Sequence, residues 1–180
     1  VSIGSHVVAL GDVVARVPDR LPAELNVSSD ASPVRTLDSD AEARMITLID
    51  EAKRSGDTLG GTCEVVVTGL PVGLGSHVSW DRKLDGRLAA ALMSIPAVKG
   101  VEIGLGFQAA RLPGSRVHDE IDPDDGAVSR GRLSRRSNNA GGLEGGMTTG
   151  EPLVLRAAMK PISTLMRPLA SVEMSTRESA

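Results

Sequence analysis

The stretch from Arg136 to Thr164, RSNNAGGLEGGMTTGEPLVLRAAMKPIST, constrains the fold more than any other. Five glycines fall between Gly141 and Gly150. The residues after them alternate. Leu153, Leu155, Ala157 and Met159 point one way, and Val154, Arg156, Ala158 and Lys160 the other, which is the period of a half-buried strand. Pro161 has no N–H to give a sheet ladder, so the strand stops at Lys160. The glycines read either as a wide turn between strands or as backbone that lets an anion or a flat cofactor come close. They are not a Walker loop, because no Lys-Ser or Lys-Thr follows them. They are not a dinucleotide fingerprint either, because the strand comes after them. Lys160 to Thr164 reads as a helix start capped by Ser163 or Thr164, or as an anion site with Lys160 as its point charge; one segment can be both.

Of the 180 residues, 41% are apolar, yet there is one Phe, one Trp and no Tyr. The core must therefore be aliphatic, and a flat ligand must be held by backbone and aliphatic groups. The net charge of −3 gives no general attraction to nucleic acid or anionic membrane. A lone cysteine, Cys63, excludes an intrachain disulfide and a cysteine zinc cluster. It reads as an inert small hydrophobe within a strand, in a cytoplasmic chain. No apolar run reaches the ~20 residues of a membrane span.

The rest of the chain reads as short strands and helices joined by Gly- and Pro-rich connections. Residues 1–14 read as a strand with a bend. Residues 16–35 carry three prolines and read as a surface connection with one short helical turn. Asp40 to Ser55 is the clearest helix. Ser39 or Asp40 caps it, Ala41, Met45, Leu48, Ile49 and Ala52 form its stripe, and Gly56 stops it. Thr62 to Thr68 is a strand, and residues 84–95 form a helix ended by Pro96. Residues 98–107 give a short strand and a glycine-flanked turn. Ser171 to Met174 could add one more strand. Leu112 to Asn139 is polar, charged and rich in Gly and Pro, and is expected to be a long mobile loop within a single domain spanning 1–180. Its cluster Arg130, Arg132, Arg135 and Arg136 is either solvated or a flap over an anion. His6, His77 and His118 lack metal-ligand spacing and take packing or surface roles; no metal is assigned.

Several segments resemble chorismate synthase, in the same order along the chain. They are DTLGG (57–61), GLPVGLGS (69–76), LDGRLAAALMSIPAVKGVEIGLGF (84–107), HDE (118–120), NNAGGLEGGMTTGEPL (138–153) and MKPIST (159–164). Together they cover nearly the whole chain. The resemblance implies an α+β fold, a β-α-β sandwich with helices between antiparallel sheets, incomplete in this stretch. It implies a lyase of the shikimate pathway that converts 5-enolpyruvylshikimate 3-phosphate to chorismate with reduced FMN, with NADP associated, as a homotetramer in the cytoplasm. The flavin contacts it implies are Ala97, Gly145, Lys160, Pro161, Ile162, Ser163 and Thr164, so that main-chain amides and one ammonium between Asn138 and Thr164 cradle the cofactor. One departure is Pro96, which stands where the family usually has an amide side chain. A second is that the family's histidine segments and its arginine–serine segment do not occur here. These 180 residues are accordingly expected to be the central-to-late part of a longer chain, inactive alone, with no catalytic residue assigned and with exposed sheet edges that favour self-association. The alternative is a noncatalytic truncated relative that binds flavin or assembles structurally.

Overall fold

The computed structural model describes residues 1–122, 134–167 and 169–179. The chain runs β1 (Ser2–Leu10), β2 (Val13–Val14), α1 (Leu25–Asp30), α2 (Ser39–Ser55), β3 (Gly61–Thr68), α3 (Leu84–Met93), β4 (Val98–Ile103), β5 (Ile121–Asp122), β6 (Ser134–Arg135), β7 (Leu143–Glu144), β8 (Met147–Thr148) and β9 (Leu153–Met159). Five of these form one sheet in the order β2-β1-β3-β9-β4, with every pairing antiparallel. β5 pairs with β6, and β7 with β8, as separate two-stranded ribbons.

Alternation along the strands decides which face is dry. Leu153 and Leu155 of β9 are buried with Leu143, and Val65, Val67 and Ile103 pack against them. Leu84, Leu88 and Leu92 of α3 close the same cluster, one residue per helical turn. Burying Leu153 and Leu155 contributes about 1.5–3 kcal/mol each. α2 closes the other end of this face. Its Ala41 and Met45 are fully buried against Ala15, with Val7, Leu10, Val13 and Val34 around them.

α2 forms where expected, but its cap lies one residue earlier. Asp38 accepts hydrogen bonds from the Asp40 and Ala41 N–H groups at 3.0 and 3.2 Å, and from the Arg16 N–H at 2.8 Å. These backbone bonds, those from Arg16 and Ala41 foremost, hold the Asp38 carboxyl below the usual carboxylate range. The helix ends at Gly56 with φ of 73°, the left-handed cap that glycine adopts without strain.

The opposite face carries a row of charge across the sheet. His6, Glu64, Arg156 and Glu102 are register partners on β1, β3, β9 and β4. His6 and Glu64 are each only 2% exposed. Glu64 Oε1 lies 3.1 Å from His6 Nε2, and Arg156 Nε donates to Glu64 Oε2 at 2.8 Å. Arg156 Nη1 donates onward to the Gly104 carbonyl at 3.3 Å. Burial opposes ionisation of Glu64, but the His6 hydrogen bond and the Arg156 charge outweigh it and hold the carboxyl below its usual range. An ionised Glu64 only accepts, so the facing His6 nitrogen carries the proton. His6 thus takes a packing role. Its partners show as polar residues in mid-strand, in segments that otherwise alternate cleanly.

The ends of the 112–139 segment are paired. Ile121 and Asp122 match Arg135 and Ser134 in register, and Gly114–Arg116 is a 3-10 turn. Arg136 donates to Glu120 at 2.6 Å and to Asp122 at 3.5 Å. Arg130 and Arg132 lie outside the described residues. No helix among the described residues is long and apolar enough to cross a membrane.

Candidate functional site

β9 ends where the sequence says it must, and the segment after it turns back over the loop that precedes β3. Thr58 Oγ1 donates to the Ile162 carbonyl at 2.7 Å, and the Arg167 N–H reaches the Gly56 carbonyl at 3.3 Å. Gly60 makes this fit possible. A Cβ there would stand 2.5 Å from the Met159 carbonyl oxygen and 2.9 Å from Pro161 Cδ. The DTLGG segment is therefore the floor under Lys160–Thr164, a role its sequence did not announce.

Ala97 closes the other side. The Lys160 N–H donates to the Ala97 carbonyl at 2.9 Å. Ala97 itself has φ of 70°, and the Val98 N–H bonds back to the Ile95 carbonyl at 3.1 Å. This is a type II turn with Pro96 in its second position, where proline's fixed φ is preferred, and alanine in the third, which favours glycine. Pro96 thus presets the turn that carries Ala97.

The donors at this end are unspent. Lys160, Pro161, Ile162, Ser163 and Thr164 are all exposed. Among the described residues, the Lys160 ammonium has no ion pair, and the N–H groups of Ile162, Ser163 and Thr164 have no acceptor. One ammonium, three N–H groups and two hydroxyls on consecutive residues form a set suited to an anion. No helix starts here, so the capping reading does not apply.

The glycine segment is built differently and stands elsewhere. Asp119 of the HDE motif organises its start. The carboxylate accepts from Ser137 Oγ at 2.5 Å, the Asn139 N–H at 2.8 Å and the Ala140 N–H at 2.9 Å. Burial works against the charge, but those three bonds hold Asp119 below its usual range. Asn138 then bridges, donating to the Pro152 carbonyl at 2.7 Å and accepting from the Gly142 N–H at 2.8 Å. Gly145 and Gly146, with φ of 58° and 86°, are the turn of the β7–β8 ribbon. Arg135 braces it with a bidentate grip on Glu144, both contacts at 2.9 Å, and that bond keeps the guanidinium firmly charged.

The two parts are not adjacent. The Leu84 N–H, at the start of α3, donates to the Gly146 carbonyl at 2.9 Å, whereas Ala97 follows the end of α3. Ten helical residues span about 15 Å. The structure joins Ala97 to Lys160–Thr164 and leaves Gly145 open to solvent at the far end of α3 and β9.

A cavity of about 600 Å³ lies at neither place. It opens beside Ile3, Leu25, Val66 and Val154. Its Asn26 is spent on the Ser5 N–H and the Ile3 carbonyl, and its Asn138 on the bridge just described. Its remaining donors, Arg20 and the Ser2 and Thr68 hydroxyls, stand on separate segments, whereas those at Lys160–Thr164 sit on consecutive residues held against Ala97, so the Lys160 end is the better anion site. Among the described residues, no group of His, Cys, Asp and Glu could hold a metal ion.

The family model for chorismate synthase matches residues 1–180. The chain belongs to the chorismate synthase family. It is 65% identical to the chorismate synthase of Geobacter sulfurreducens over 153 residues, which is 83% of this chain and 39% of that protein. It is 56% identical to the chorismate synthase of Brevibacillus brevis over 178 residues, 99% of this chain and 45% of that one. A crystal structure of chorismate synthase superposes with a TM-score of 0.80 at 46% identity, covering 89% of this chain and 49% of that one. The chain thus spans less than half the length of the relatives it matches. The α+β architecture expected from the resemblance is the one the superposed structure shares.

Proposed function

We propose that the chain is the flavin-holding part of a chorismate synthase, which converts 5-enolpyruvylshikimate 3-phosphate to chorismate and phosphate by 1,4-anti elimination. The observation that carries this reading is the unspent donor set at Lys160–Thr164, fixed against Ala97, on a chain of this family. Reduced FMN fits that set, since its phosphate and polar ring edge need cations and N–H donors and the chain has almost no aromatic rings to stack on it. When bound, the reduced flavin supplies electron density that eases departure of the substrate's phosphate. The chain's own residues bind and orient. Lys160 neutralises negative charge, Ile162 to Thr164 present N–H and hydroxyl donors, and Ala97 fixes the position of Lys160 through its carbonyl. Gly145 stands a helix length away from that set. In the full-length enzyme, the reading includes a homotetramer in the cytoplasm, with no nucleic acid or membrane partner.

Titration of the chain with FMN and with riboflavin tests the reading. FMN should bind more tightly than riboflavin, and Lys160→Ala should remove about tenfold of that preference, as loss of one charge-assisted bond at an exposed site predicts. Equal affinity of the original chain and Lys160→Ala for FMN would place the flavin elsewhere. Exchanging these residues for the matching stretch of the Brevibacillus brevis enzyme should retain chorismate formation. A folded chimera that binds FMN but forms no chorismate would favour the noncatalytic alternative.

A further inference from the structure

Free N–H groups on consecutive residues hold an anion only if their peptide units face the right way. A trans peptide unit sends its C=O and its N–H in opposite directions, and the described peptide bonds are trans. The Lys160 N–H is spent on the Ala97 carbonyl at 2.9 Å, and Pro161 has no N–H to offer. The next carbonyl is held by a side chain from another segment. Thr58 Oγ1 donates to the Ile162 carbonyl at 2.7 Å. That bond aims the carbonyl at the DTLGG floor. It therefore aims the Ser163 N–H away from the floor, to the exposed side, where it has no acceptor among the described residues. Without the Thr58 hydroxyl this exposed unit is free to turn over. A turned unit would set a carbonyl oxygen, which only accepts, where the donor now stands.

Thr58 is itself held. Asp57–Gly60 joins the glycine cap of α2 to β3. The Asp57 N–H donates to the Ala52 carbonyl at 2.9 Å and the Thr58 N–H to Asp57 Oδ1 at 2.7 Å. At the far end the Gly60 carbonyl accepts from the Gly11 N–H at 2.9 Å. Among the described residues, no other side chain donates to a carbonyl of Lys160–Thr164.

We propose that Thr58 is a positioning residue of the anion site: its hydroxyl holds the Ile162–Ser163 peptide unit with the N–H turned toward the bound anion. This role rests on the assignment of FMN to Lys160–Thr164, and it adds a residue that acts through the Ser163 N–H.

Two variants separate the hydroxyl from the shape of the side chain. Thr58→Val keeps the branched shape and removes the donor, whereas Thr58→Ser keeps the donor. Each is titrated with FMN beside the original chain and Lys160→Ala, and the amide spectrum is followed. Thr58→Val should weaken FMN binding about tenfold, as loss of one N–H bond to a charged acceptor predicts, and Thr58→Ser should restore it. The Ser163 amide should shift with FMN in the original chain and in Thr58→Ser but not in Thr58→Val, while the Ala97 amide shifts in all three. A general loosening of the segment would instead lose both signals together. The proposal alone is overturned if Lys160→Ala weakens FMN binding and Thr58→Val does not, if Thr58→Ser binds as poorly as Thr58→Val, or if the Ala97 shift disappears along with that of Ser163. If Lys160→Ala binds FMN like the original chain, the assignment of the flavin falls and the role of Thr58 falls with it.

Discussion

Replacing Glu64 with Gln removes the charge at the centre of the cross-sheet row while keeping its shape. The cost can be worked from its neighbours. Removing one partner of a buried ion pair costs about 3–5 kcal/mol when the other charge stays buried. Arg156 retains 32% side-chain exposure and can recover some hydration, which brings its share to the lower end. His6 cannot, and loses a charged acceptor in a site 2% exposed, for about 1–2 kcal/mol more. A total near 4–5 kcal/mol corresponds to a melting temperature lowered by about 8–20 °C for a domain of this size. Equilibrium unfolding in urea measures it, and the midpoint should fall with the slope unchanged. The sign of the pH dependence follows from the lowered carboxyl. The Glu64 contribution is complete above the ordinary glutamate pKa near 4.5, which it has in the unfolded chain, and is lost as pH falls through the lower folded value. The original chain should therefore lose its advantage over Glu64→Gln on acidification below about pH 5. A midpoint change worth less than about 1 kcal/mol, or an advantage that persists at acid pH, would refute this account of the row.

Ala97→Gly should raise stability by about 0.5–1 kcal/mol, since relief of the left-handed conformation exceeds the added freedom of the unfolded chain; a lower melting temperature would contradict the turn assignment. Gly60→Ala should destabilise by about 1–3 kcal/mol and loosen Lys160–Thr164, because the new methyl meets the Met159 carbonyl and Pro161. Faster hydrogen exchange at the Lys160 amide, which bonds to the Ala97 carbonyl, checks the second part on the folded variant. Asp119→Asn should leave the large sheet intact while exposing the Asn139 and Ala140 amides to exchange, as the carboxylate that receives them is lost. Unchanged protection there would remove Asp119 from its organising role.

Strands β1, β3 and β9 were legible because they alternate and end at glycine, threonine and proline; β2 was not, since residues 1–14 read as one bent strand where the chain turns back at Gly11 and pairs Leu10 with Val13. α2 was legible because stripe, charges and stop signal agree, although Asp38 rather than Ser39 or Asp40 caps it. What could not be read was distance between segments. Gly145 and Lys160 are close in sequence, but an extended strand separates them, so sequence proximity suggested one cradle where the structure has two ends. The roles of Thr58, Gly60 and Asp119 were hidden because each serves a segment far away in the chain. The strain at Ala97 was hidden because alanine gives no sign of positive φ; Pro96 before it was the available signal.

Amide chemical-shift mapping on titration with FMN tests the central claim most directly. The account predicts that the largest shifts fall on Ala97 and on Ile162, Ser163 and Thr164, with smaller ones at Thr58. Shifts concentrated around Ile3, Leu25 and Val154, with the Lys160 segment unmoved, would contradict it.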